Sequence, residues 1–487
     1  MEIAIVGCGI GGIHILKTII EHPNYNDNFN IHIFETRDEL GLGPAYEDDT
    51  IYKLLNVKEK YMSLDIDDPS HLFDWLAKNP DKDIRVEGMI PRSIFGDYIK
   101  DTYSKYLSAD NIKIHHEEVV DIEKSDDEYI ITTTDNTYDN DFNVIFLSIG
   151  QSHYSDDYDL KGEDNFIYDP YPLEKKLALE GNNQNTRIGI IGTGPTSVDI
   201  YRYLRENCEL DQPFYFFTKS SGFAAVEIPL EDNKNICSID DDWISKNQVE
   251  NGFIDLNIIK ETIKSDQEAS GYSLLETYEK YKDSDIEIYK KALVENDQAL
   301  AFSQIYTMEL WKVAARLYNS LSGLDKLEVD EEYLGKLDFL ISKTPTETMK
   351  NIIDDYDKGK IKVIRKTEDI SVDNKRFIVT SEETSDISVD YLVNSQGFEK
   401  NLKKAIKKDK LIQNLYDKKM IEDDVDGKYI RVTYPSYNLI NTKYGLMENL
   451  YLAGMWTEST DILNNDLRSI LQSSELMAND FMEKLTK

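Results

Sequence analysis

The opening of the chain divides into an apolar run, a glycine-rich turn, a segment of helical periodicity and a second apolar run. Residues 2–6 are mostly apolar, residues 7–12 contain four glycines, and the apolar residues that follow recur every three or four positions. A short apolar run predicts a buried strand, and the longer spacing predicts an amphipathic helix. Residues 31–34 form the next apolar run, which ends at Glu35. The order predicts strand, tight turn, helix and strand.

The same order returns in the middle of the chain. Residues 188–191 are an apolar run, Gly192 and Gly194 follow it, and a segment of helical periodicity leads to another apolar run at 214–217. The sequence therefore predicts a second copy of the first fold.

Each copy is followed by a similar series of apolar segments. The series in the first copy runs from residue 112 to Gly150, and the series in the second runs from 361 to Gly397. In each, short apolar stretches, a hairpin and a final strand ending at a glycine follow in the same order. The duplication predicts an α/β protein with two Rossmann-like dinucleotide-binding domains, each carrying a β-meander.

A helical, acidic segment interrupts the second copy. Core packing explains the apolar faces of its helices, and the lining of a substrate channel is the alternative. An apolar strand ending in Gly454 and a closing helix are expected to complete the first copy. Apolar spacing predicts helices in the interruption around 256–265, 272–296, 301–322 and 330–353. The predicted domains are 1–155 with 400–487, 185–225 with 346–399, and the helical insertion 226–345.

Charge and composition narrow the range of partners. The 487 residues carry 55 Lys and Arg against 92 Asp and Glu, a net charge of −37, which repels nucleic acid and anionic lipid surfaces. No apolar run approaches the roughly 18 residues of a membrane span. Three cysteines without a C-x-x-C pair, and an opening strand that leaves no room for a signal segment, predict a cytoplasmic protein. The histidines lack metal-ligand spacing, so no metal is expected, and the oligomeric state stays open.

The first glycine turn has the residues that a dinucleotide site requires. One glycine allows the tight turn, one lets the backbone approach a pyrophosphate, and one lets the helix pack on the strand. The helix N-terminus attracts the pyrophosphate, and Glu35 lies near the spacing at which a carboxylate binds ribose hydroxyls. Together these features favour a nucleotide site over a turn without a ligand.

The second turn favours NADPH over NADH. The strand at 214–217 ends in Thr218, Lys219 and Ser220, where an NAD site has a carboxylate. A lysine flanked by hydroxyls can receive a 2′-phosphate that a carboxylate would repel. An ordinary solvated lysine is the alternative for Lys219.

The motifs resemble those of flavoproteins with two dinucleotide-binding domains, the group that includes flavin-containing monooxygenases. The chain is most similar to the bacterial FAD-NAD(P)-binding family related to them, on the segments 41–46, 54–57, 62–64, 73–76, 91–98 and 192–199. This resemblance implies FAD on the first fold and NADPH on the second. The expected cofactor-binding residues are Gly7, Gly9, Ile10, Gly11, Gly12, Glu35, Thr36, Gly43, Ala45, Tyr46, Asn56, Val57, Met62, Ser63, Arg92, Val119, Val120, Gly150, Gly192, Gly194, Pro195, Thr196, Ser197, Thr218, Lys219, Ser220, Gln396, Gly397, Gly454 and Met455.

Arg92 and His153 are the candidate catalytic residues. A guanidinium near the flavin would stabilise negative charge on the reduced ring or on phosphate, and a surface ion pair is the alternative for Arg92. His153 is expected to contact flavin or nicotinamide, with a structural histidine as the alternative. Cys8 is expected to be a packing residue. Met455 stands where many such flavoproteins have an aspartate, and the Baeyer–Villiger fingerprint is absent, so that reaction is not assigned.

The resemblance implies an FAD-dependent, NADPH-using oxidoreductase. Flavin accepts hydride and, with molecular oxygen, forms a C4a adduct that oxygenates a nucleophile. No Ser/His/Asp or Cys/His arrangement in the sequence suggests another mechanism. A monooxygenase acting on a small molecule is favoured. The alternatives are an NADPH:acceptor oxidoreductase or dehydrogenase without oxygen insertion, and a non-catalytic FAD-binding regulatory protein.

Overall fold

A computed structural model of the chain describes residues 1–178, 184–219, 222–231, 236–424, 426–462, 464 and 466–486. The strands are, in chain order, β1 Glu2–Val6, β2 Asn30–Phe34, β3 Ile112–His115, β4 Val119–Ser125, β5 Glu128–Thr133, β6 Thr137–Phe142, β7 Val144–Leu147, β8 Phe166–Ile167, β9 Ile188–Ile191, β10 Phe214–Phe217, β11 Ala225–Val226, β12 Lys343–Thr344, β13 Ile361–Ile364, β14 Thr367–Asp373, β15 Arg376–Ser381, β16 Thr384–Val389, β17 Tyr391–Asn394, β18 Asn438–Asn441 and β19 Gly445–Leu452.

Helices connect these strands. The α-helices are, in chain order, α1 Ile10–Glu21, α2 Gly43–Tyr46, α3 His71–Lys78, α4 Arg92–Tyr103, α5 Leu173–Lys176, α6 Pro195–Asn207, α7 Asp241–Asn247, α8 Leu256–Ser270, α9 Leu274–Tyr281, α10 Ile286–Glu295, α11 Gln298–Trp311, α12 Ala314–Asn319, α13 Gly323–Val329, α14 Gly335–Ile341, α15 Thr346–Asp357, α16 Leu402–Ala405, α17 Lys410–Asp417 and α18 Leu467–Lys484. Shorter helical turns lie at Glu59–Tyr61, Pro80–Lys82, Ser104–Ser108, Asp330–Leu334 and Met455–Thr457.

The first sheet has the strand order β18-β19-β7-β1-β2-β3. Strand β1 pairs in parallel with β2 and β7, and β7 pairs in parallel with β19. The apolar run that defines β1 is therefore buried in the middle of the sheet, with Ile3 and Ile5 fully enclosed. Helix α18 packs along α1, so the end of the chain returns to the fold that its beginning forms.

The second sheet repeats this architecture. Its order is β13-β10-β9-β17-β8, and all of its strand pairs are parallel. Each fold also carries a three-stranded antiparallel meander, β4-β5-β6 in the first and β14-β15-β16 in the second. The predicted α/β class, with two Rossmann-like folds and two meanders, is confirmed.

The inserted segment is more finely divided than its apolar spacing predicts. The single helix expected over 272–296 is two helices, α9 and α10, because Asp285 caps the second one by accepting from the backbone N–H of Ile288. The helix expected over 330–353 is likewise interrupted by β12 at Lys343–Thr344. Strand formation overrides helical periodicity there because β12 has a partner, β11, on the other side of the insertion.

The two ends of the insertion lie side by side. Ala225 pairs with Lys343 and Val226 with Thr344 in a short parallel ladder. Helix α15, which follows, buries Met349 and Ile352 in the core of the second fold. In the part of the chain that the structure describes, no helix is long and apolar enough to span a membrane.

Candidate cofactor sites

The glycines of the first turn have different surroundings. A Cβ on Gly7, which has a φ of +85°, would lie 2.2 Å from the carbonyl oxygen of Ser148, and one on Gly12 would lie 2.2 Å from the carbonyl oxygen of Gly7. These two positions admit only glycine because backbone already fills the space. A Cβ on Gly9 would meet only the Cα of Gly43, at 3.9 Å. The turn is therefore packed on its protein side and open over Gly9, at the N-terminus of α1, where an anion is favoured.

Glu35 lies beside this opening, at the end of β2. Its Oε2 accepts from the backbone N–H of Cys8 at 2.9 Å, and its Oε1 accepts from the backbone N–H of Arg37 at 3.1 Å. Only 9% of the residue is exposed. The carboxylate is thus fixed against the glycine turn, as a ribose-binding acid requires. Burial raises the pKa of the Cys8 thiol, and the charge of Glu35 raises it further, so Cys8 is a neutral packing residue.

Glycines also end the central strands of both sheets. Gly150 follows β7, Gly454 follows β19 and Gly397 follows β17, and each has a positive φ. A Cβ on any of them would find nothing within 4 Å in the described part of the chain. Ligands of doubly wound sheets bind at this carboxyl edge of the strands, so the open glycines mark the edge where the cofactors fit.

Unpartnered buried oxygens lie at the same edge. Gln396 Oε1 and Asn464 Oδ1 are buried without a hydrogen-bond partner among the described residues. Asn464 donates through its amide nitrogen to the carbonyl oxygen of Gly454 at 2.8 Å, which places it at the end of β19. Ser474 Oγ is also buried without a described partner, near the position that a Cβ on Gly11 would occupy. Polar atoms in this state indicate that a bound polar group completes the site.

Residues 43–46 cover the start of α4. The ring of Tyr46 packs on Phe95 with centroids 4.9 Å apart, and a Cβ on Gly96 would lie 2.3 Å from the Tyr46 carbonyl oxygen. Gly96 therefore permits the segment to contact the helix directly. Burial raises the pKa of the Tyr46 hydroxyl, although the charge of Arg92 opposes the shift. The tyrosine stays neutral in this setting.

The structure places Arg92 between the two folds. Its Nε donates to the carbonyl oxygen of Leu54 at 2.8 Å, and its Nη2 lies 4.0 Å from Oδ2 of Asp199 on α6. Asp199 is fully buried and also accepts from the hydroxyl of Tyr171 at 3.0 Å. The partner of Arg92 is therefore a buried carboxylate of the second fold, which differs from the exposed ion pair considered as its alternative.

A buried lysine accompanies Arg92 and has no signal in the sequence. Lys53 is 1% exposed, and its Nζ donates to the carbonyl oxygen of Pro44 at 2.9 Å and lies 4.4 Å from the ring centroid of Tyr171. Burial lowers the pKa of Lys53, and the charge of Arg92 lowers it further. Asp49 Oδ2 lies 3.8 Å from Lys53 Nζ, and Asp199 lies beside Arg92, so buried carboxylates offset the charge of both cations.

His153 lies where the chain leaves the first fold. Its Nδ1 pairs with Ser152 Oγ at 2.9 Å, and its carbonyl oxygen accepts from the backbone N–H of Glu399, beyond β17, at 2.9 Å. Burial lowers the pKa of His153, and the charge of Lys408 adds to the effect, so the imidazole is neutral at pH 7. These contacts are structural, and a cofactor contact of His153 stays a prediction.

The second glycine turn is also open. Helix α6 begins at Pro195, and no described atom would lie within 4 Å of a Cβ on Gly194. Ser197 Oγ donates to the carbonyl oxygen of Gly194 at 2.7 Å, which fixes the turn, and Thr196 lies half-buried in the first turn of the helix. Gly192, with a φ of +104°, approaches the backbone of the strand beside it. In this turn, as in the first, one glycine packs closely against backbone (Gly192) and another faces open space (Gly194).

Lys219 follows β10, as expected, and has an acidic partner. Its Nζ lies 2.8 Å from Oδ2 of Asp157 and 5.0 Å from the ring centroid of Tyr158, and 56% of its side chain is exposed. Thr218 is buried, and Ser220 lies outside the described residues. A 2′-phosphate would have to compete with Asp157 for the ammonium group.

The other expected contacts lie around the two turns. Ser63 Oγ donates to the carbonyl oxygens of Asp65 and Asp68, so it closes its own loop. Asn414 donates to the carbonyl oxygen of Val120 at 2.8 Å, next to the first fold's meander. The remaining residues divide by burial: Ile10, Met62, Val119 and Met455 are buried, Thr36 and Asn56 are exposed, and Ala45 and Val57 are intermediate.

The insertion contacts the first fold near the end of β19. Trp311 Nε1 on α11 donates to Oδ2 of Asp466, the residue that caps α18, at 2.8 Å. Asn319 Nδ2 donates to the carbonyl oxygen of Thr460 at 2.7 Å. The inserted helices therefore lie against the segment that follows Gly454.

Comparisons with known proteins agree with this architecture. Residues 4–152 match the family described as FAD-NAD(P)-binding. No curated protein matches the sequence of the chain. Among solved structures, the chain is similar to the ornithine N-hydroxylase of Kutzneria sp. 744, with a TM-score of 0.58 and 16% identity over 100% of this chain and 99% of that chain. It is also similar to the cadaverine monooxygenase of the desferrioxamine biosynthetic pathway from Erwinia amylovora, with a TM-score of 0.62 and 13% identity over 98% and 93%.

A reductase has a similar fold. The bacillithiol disulfide reductase of Staphylococcus aureus matches with a TM-score of 0.53 and 11% identity over 99% of this chain and 98% of that chain. The protein therefore has the fold of flavoproteins with two dinucleotide-binding domains. The match of residues 4–152 to the FAD-NAD(P)-binding family agrees with the resemblance found in the sequence.

Proposed function

We propose that the protein is an FAD-dependent monooxygenase that uses NADPH and oxygenates a small-molecule nucleophile. The observation that carries the proposal is the pair of open glycine turns. A Cβ on Gly9 would meet only the Cα of Gly43, at 3.9 Å, and one on Gly194 would meet no described atom within 4 Å; each glycine lies at the N-terminus of a helix that follows a buried parallel strand. Each turn thus leaves room for one pyrophosphate, so the chain holds two dinucleotides.

The residues around the first turn fit FAD. When bound, flavin accepts hydride from a reduced nicotinamide and activates molecular oxygen. Glu35 is proposed to hold the adenosine ribose, and the open edge at Gly150 and Gly454 to receive the flavin. Arg92, which pairs with Asp199 between the folds, is proposed to approach the flavin or the pyrophosphate.

The inserted helices favour oxygen insertion over simple electron transfer. Oxygenation requires that water be kept from the reaction, and a cover over the flavin site serves this purpose. The contacts of Trp311 with Asp466 and of Asn319 with Thr460 support such a cover. The similar hydroxylases act on ornithine and cadaverine according to their names, so primary amines are the first substrates to test.

An NADPH-dependent reductase is the second candidate. The observation in its favour is the likeness to a bacillithiol disulfide reductase. Cys8 is buried, and neither it nor Cys208 or Cys237 takes part in a disulfide in the described chain. Since no two of these cysteines form a C-x-x-C pair, a reductase of this sequence would pass electrons from the flavin to an external acceptor.

Anaerobic titration with NADPH followed by air separates these functions. We expect the purified yellow protein to be bleached by NADPH without oxygen. On admission of air with an amine, we expect a product heavier by one oxygen atom. Bleaching without an oxygenated product across an amine panel would favour the reductase, and a flavin that NADPH does not bleach would refute both enzymes.

The cytoplasm is the proposed location. The absence of a disulfide among the three cysteines of the described chain is typical of a reducing compartment. The net charge of −37 argues against nucleic acid as a partner.

A further inference from the structure

The turn between Val86 and Met89 reaches from the first fold to the second. Val86 and Met89 exchange both backbone hydrogen bonds at 2.9 Å. The two residues between them have positive φ, +51° at Glu87 and +78° at Gly88. This is the backbone of a type I′ hairpin turn, whose first central position is usually Asn, Asp or Gly. A glutamate in this left-handed conformation indicates that contacts of its side chain hold it there.

The carboxylate of Glu87 accepts three hydrogen bonds from the second fold. Arg202 Nε on α6 donates to Oε2 at 2.9 Å. On α15, Thr348 Oγ1 donates to Oε2 at 2.5 Å, and Asn351 Nδ2 donates to Oε1 at 2.7 Å. Only 13% of the Glu87 side chain and 4% of the Arg202 side chain are exposed. Because both side chains are mostly buried, this charge-assisted contact is less screened than an exposed surface ion pair.

The same segment of the first fold holds α6 at a second point. Arg92 approaches Asp199 on α6, and Asp199 Oδ1 accepts from Arg202 Nη1 at 3.1 Å, one turn along the helix. Glu87, Arg202, Asp199 and Arg92 therefore form a continuous chain of charges of alternating sign. Helix α6 begins at the open turn of Gly194, so this chain fixes the helix that would carry the NADPH pyrophosphate.

We propose that Glu87 is a positioning residue for hydride transfer, because its contact with Arg202 forms a latch that sets the distance of NADPH from the flavin. The inference rests on the proposed function, in which both cofactors bind. Hydride transfer requires reacting atoms about 3–3.5 Å apart, and a displacement of about 1 Å can slow such a reaction about a hundredfold. The described contacts of Glu87 lie on α6 and α15, away from Gly9 and Gly194, so its loss changes the rate of transfer and leaves cofactor binding intact.

The test compares Glu87→Gln with Glu206→Gln in the full-length, FAD-loaded protein. Both variants replace a carboxylate by an amide, but Glu206 is a 44% exposed side chain of α6 that pairs only with Arg205 among the described residues. At saturating NADPH without oxygen, we expect flavin reduction in Glu87→Gln to be about 10- to 100-fold slower than in the wild type. FAD content and the Kd for NADP⁺ should be unchanged, and Glu206→Gln should match the wild type.

Other outcomes separate the latch from the proposed function. If the flavin of Glu87→Gln were reduced at the wild-type rate, the latch alone would be overturned. If NADPH did not reduce the flavin of the wild-type protein, both the proposed function and the latch would be overturned. If Glu87→Gln loses FAD or does not fold, Thr348→Val removes the hydroxyl that donates to Glu87 and accepts from Arg202 Nη2 at 2.7 Å, and it keeps every charge. Slower reduction with unchanged NADP⁺ affinity in that variant would support the latch, and an unchanged rate would overturn it.

Discussion

Gly9 and Gly43 face each other across the opening of the first glycine turn. A Cβ on Gly9 would lie 3.9 Å from the Cα of Gly43, and nothing else in the described part of the chain comes within 4 Å of it. By contrast, a Cβ on Gly7, two residues earlier, would collide with the carbonyl oxygen of Ser148 at 2.2 Å. Gly7 is thus required by the packing of the protein itself, whereas only a bound ligand would require a glycine at position 9.

Substitutions at these two glycines should separate folding from cofactor binding. Gly9→Asp should leave the free energy of unfolding of the apoprotein nearly unchanged and abolish FAD binding, because a side chain and a negative charge would meet the pyrophosphate. Gly7→Ala should destabilise the fold by about 1–3 kcal/mol. Flavin absorbance per chain and chemical denaturation of the apoproteins measure the two effects. A fully yellow Gly9→Asp protein would place the FAD elsewhere.

Lys219 should discriminate between the two nicotinamide cofactors. Loss of one charge-assisted contact costs about 1.5–3 kcal/mol, so Lys219→Ala should weaken NADPH binding roughly ten- to a hundredfold and spare NADH. Asp157→Asn should strengthen NADPH binding, because the ammonium no longer has a competing carboxylate. The control is Lys362→Ala, an exposed lysine on the neighbouring strand β13. If Lys219→Ala weakened the binding of NADPH and NADH equally, the lysine would have only a structural role.

The buried carboxyl of Asp461 should make stability depend on pH. Burial raises the pKa of Asp461 to about 7, and the charge of Asp466 adds to the shift. A raised pKa stabilises the folded state at low pH, and this contribution is lost as the pH rises from about 4 to about 7. Asp461→Asn should therefore gain up to a few kcal/mol over the wild type at pH 8 and little at pH 4.

Denaturant unfolding at several pH values measures this difference. The exposed Asp110→Asn variant is the control and should follow the wild type at each pH. An Asp461→Asn variant whose stability stays parallel to that of the wild type from pH 4 to 8 would show that the carboxyl titrates normally.

The cover over the flavin site should limit wasteful oxidation of NADPH. Trp311→Phe removes the indole N–H that donates to Asp466. Loss of a hydrogen bond of about 1 kcal/mol should let the cover open about fivefold more often, which raises the share of NADPH that yields peroxide. Peroxide and product are measured per NADPH consumed, with Trp243→Phe on α7 as the control. If the fraction of NADPH that yields peroxide were unchanged, the cover would have no part in the mechanism.

Deleting residues 256–322 is a poorer test of the same idea. Leu300 and Ala301 on α11 lie in the core of the second fold. Gln304 donates to the carbonyl oxygen of Val226 at 2.9 Å and accepts from the backbone N–H of Ile228. The deletion would therefore damage the second fold as well as uncover the first.

Local patterns in the sequence predicted most of the fold. The first strand, both glycine turns and both meanders were accessible because each depends on residues close together in the chain. Glu35 and the open positions Gly9 and Gly194 were accessible for the same reason. The break between α9 and α10 depends on the cap at Asp285, a signal that helical periodicity overlooks.

The contacts between the folds could not be predicted in this way. Glu87 and Arg202 are 115 positions apart, and in a chain with 30% charged residues neither stands out from solvated neighbours. The burial of Lys53 could not be predicted for the same reason, because the ring of Tyr171 that lies against its ammonium group belongs to a distant segment. Gly88 alone is a turn signal, but it does not indicate what the turn would contact.

The parallel pairing of β11 with β12 has a consequence for how the insertion varies. The chain leaves and re-enters the second fold on adjacent strands, separated by about 4.8 Å, so the two ends of the insertion meet at one place. The number and length of the inserted helices can change without moving β10 or β13, provided that the faces of α9, α10 and α11 buried in the second fold are kept. The part of the enzyme proposed to face the substrate is then free to diverge in evolution, while the two nucleotide folds stay in register.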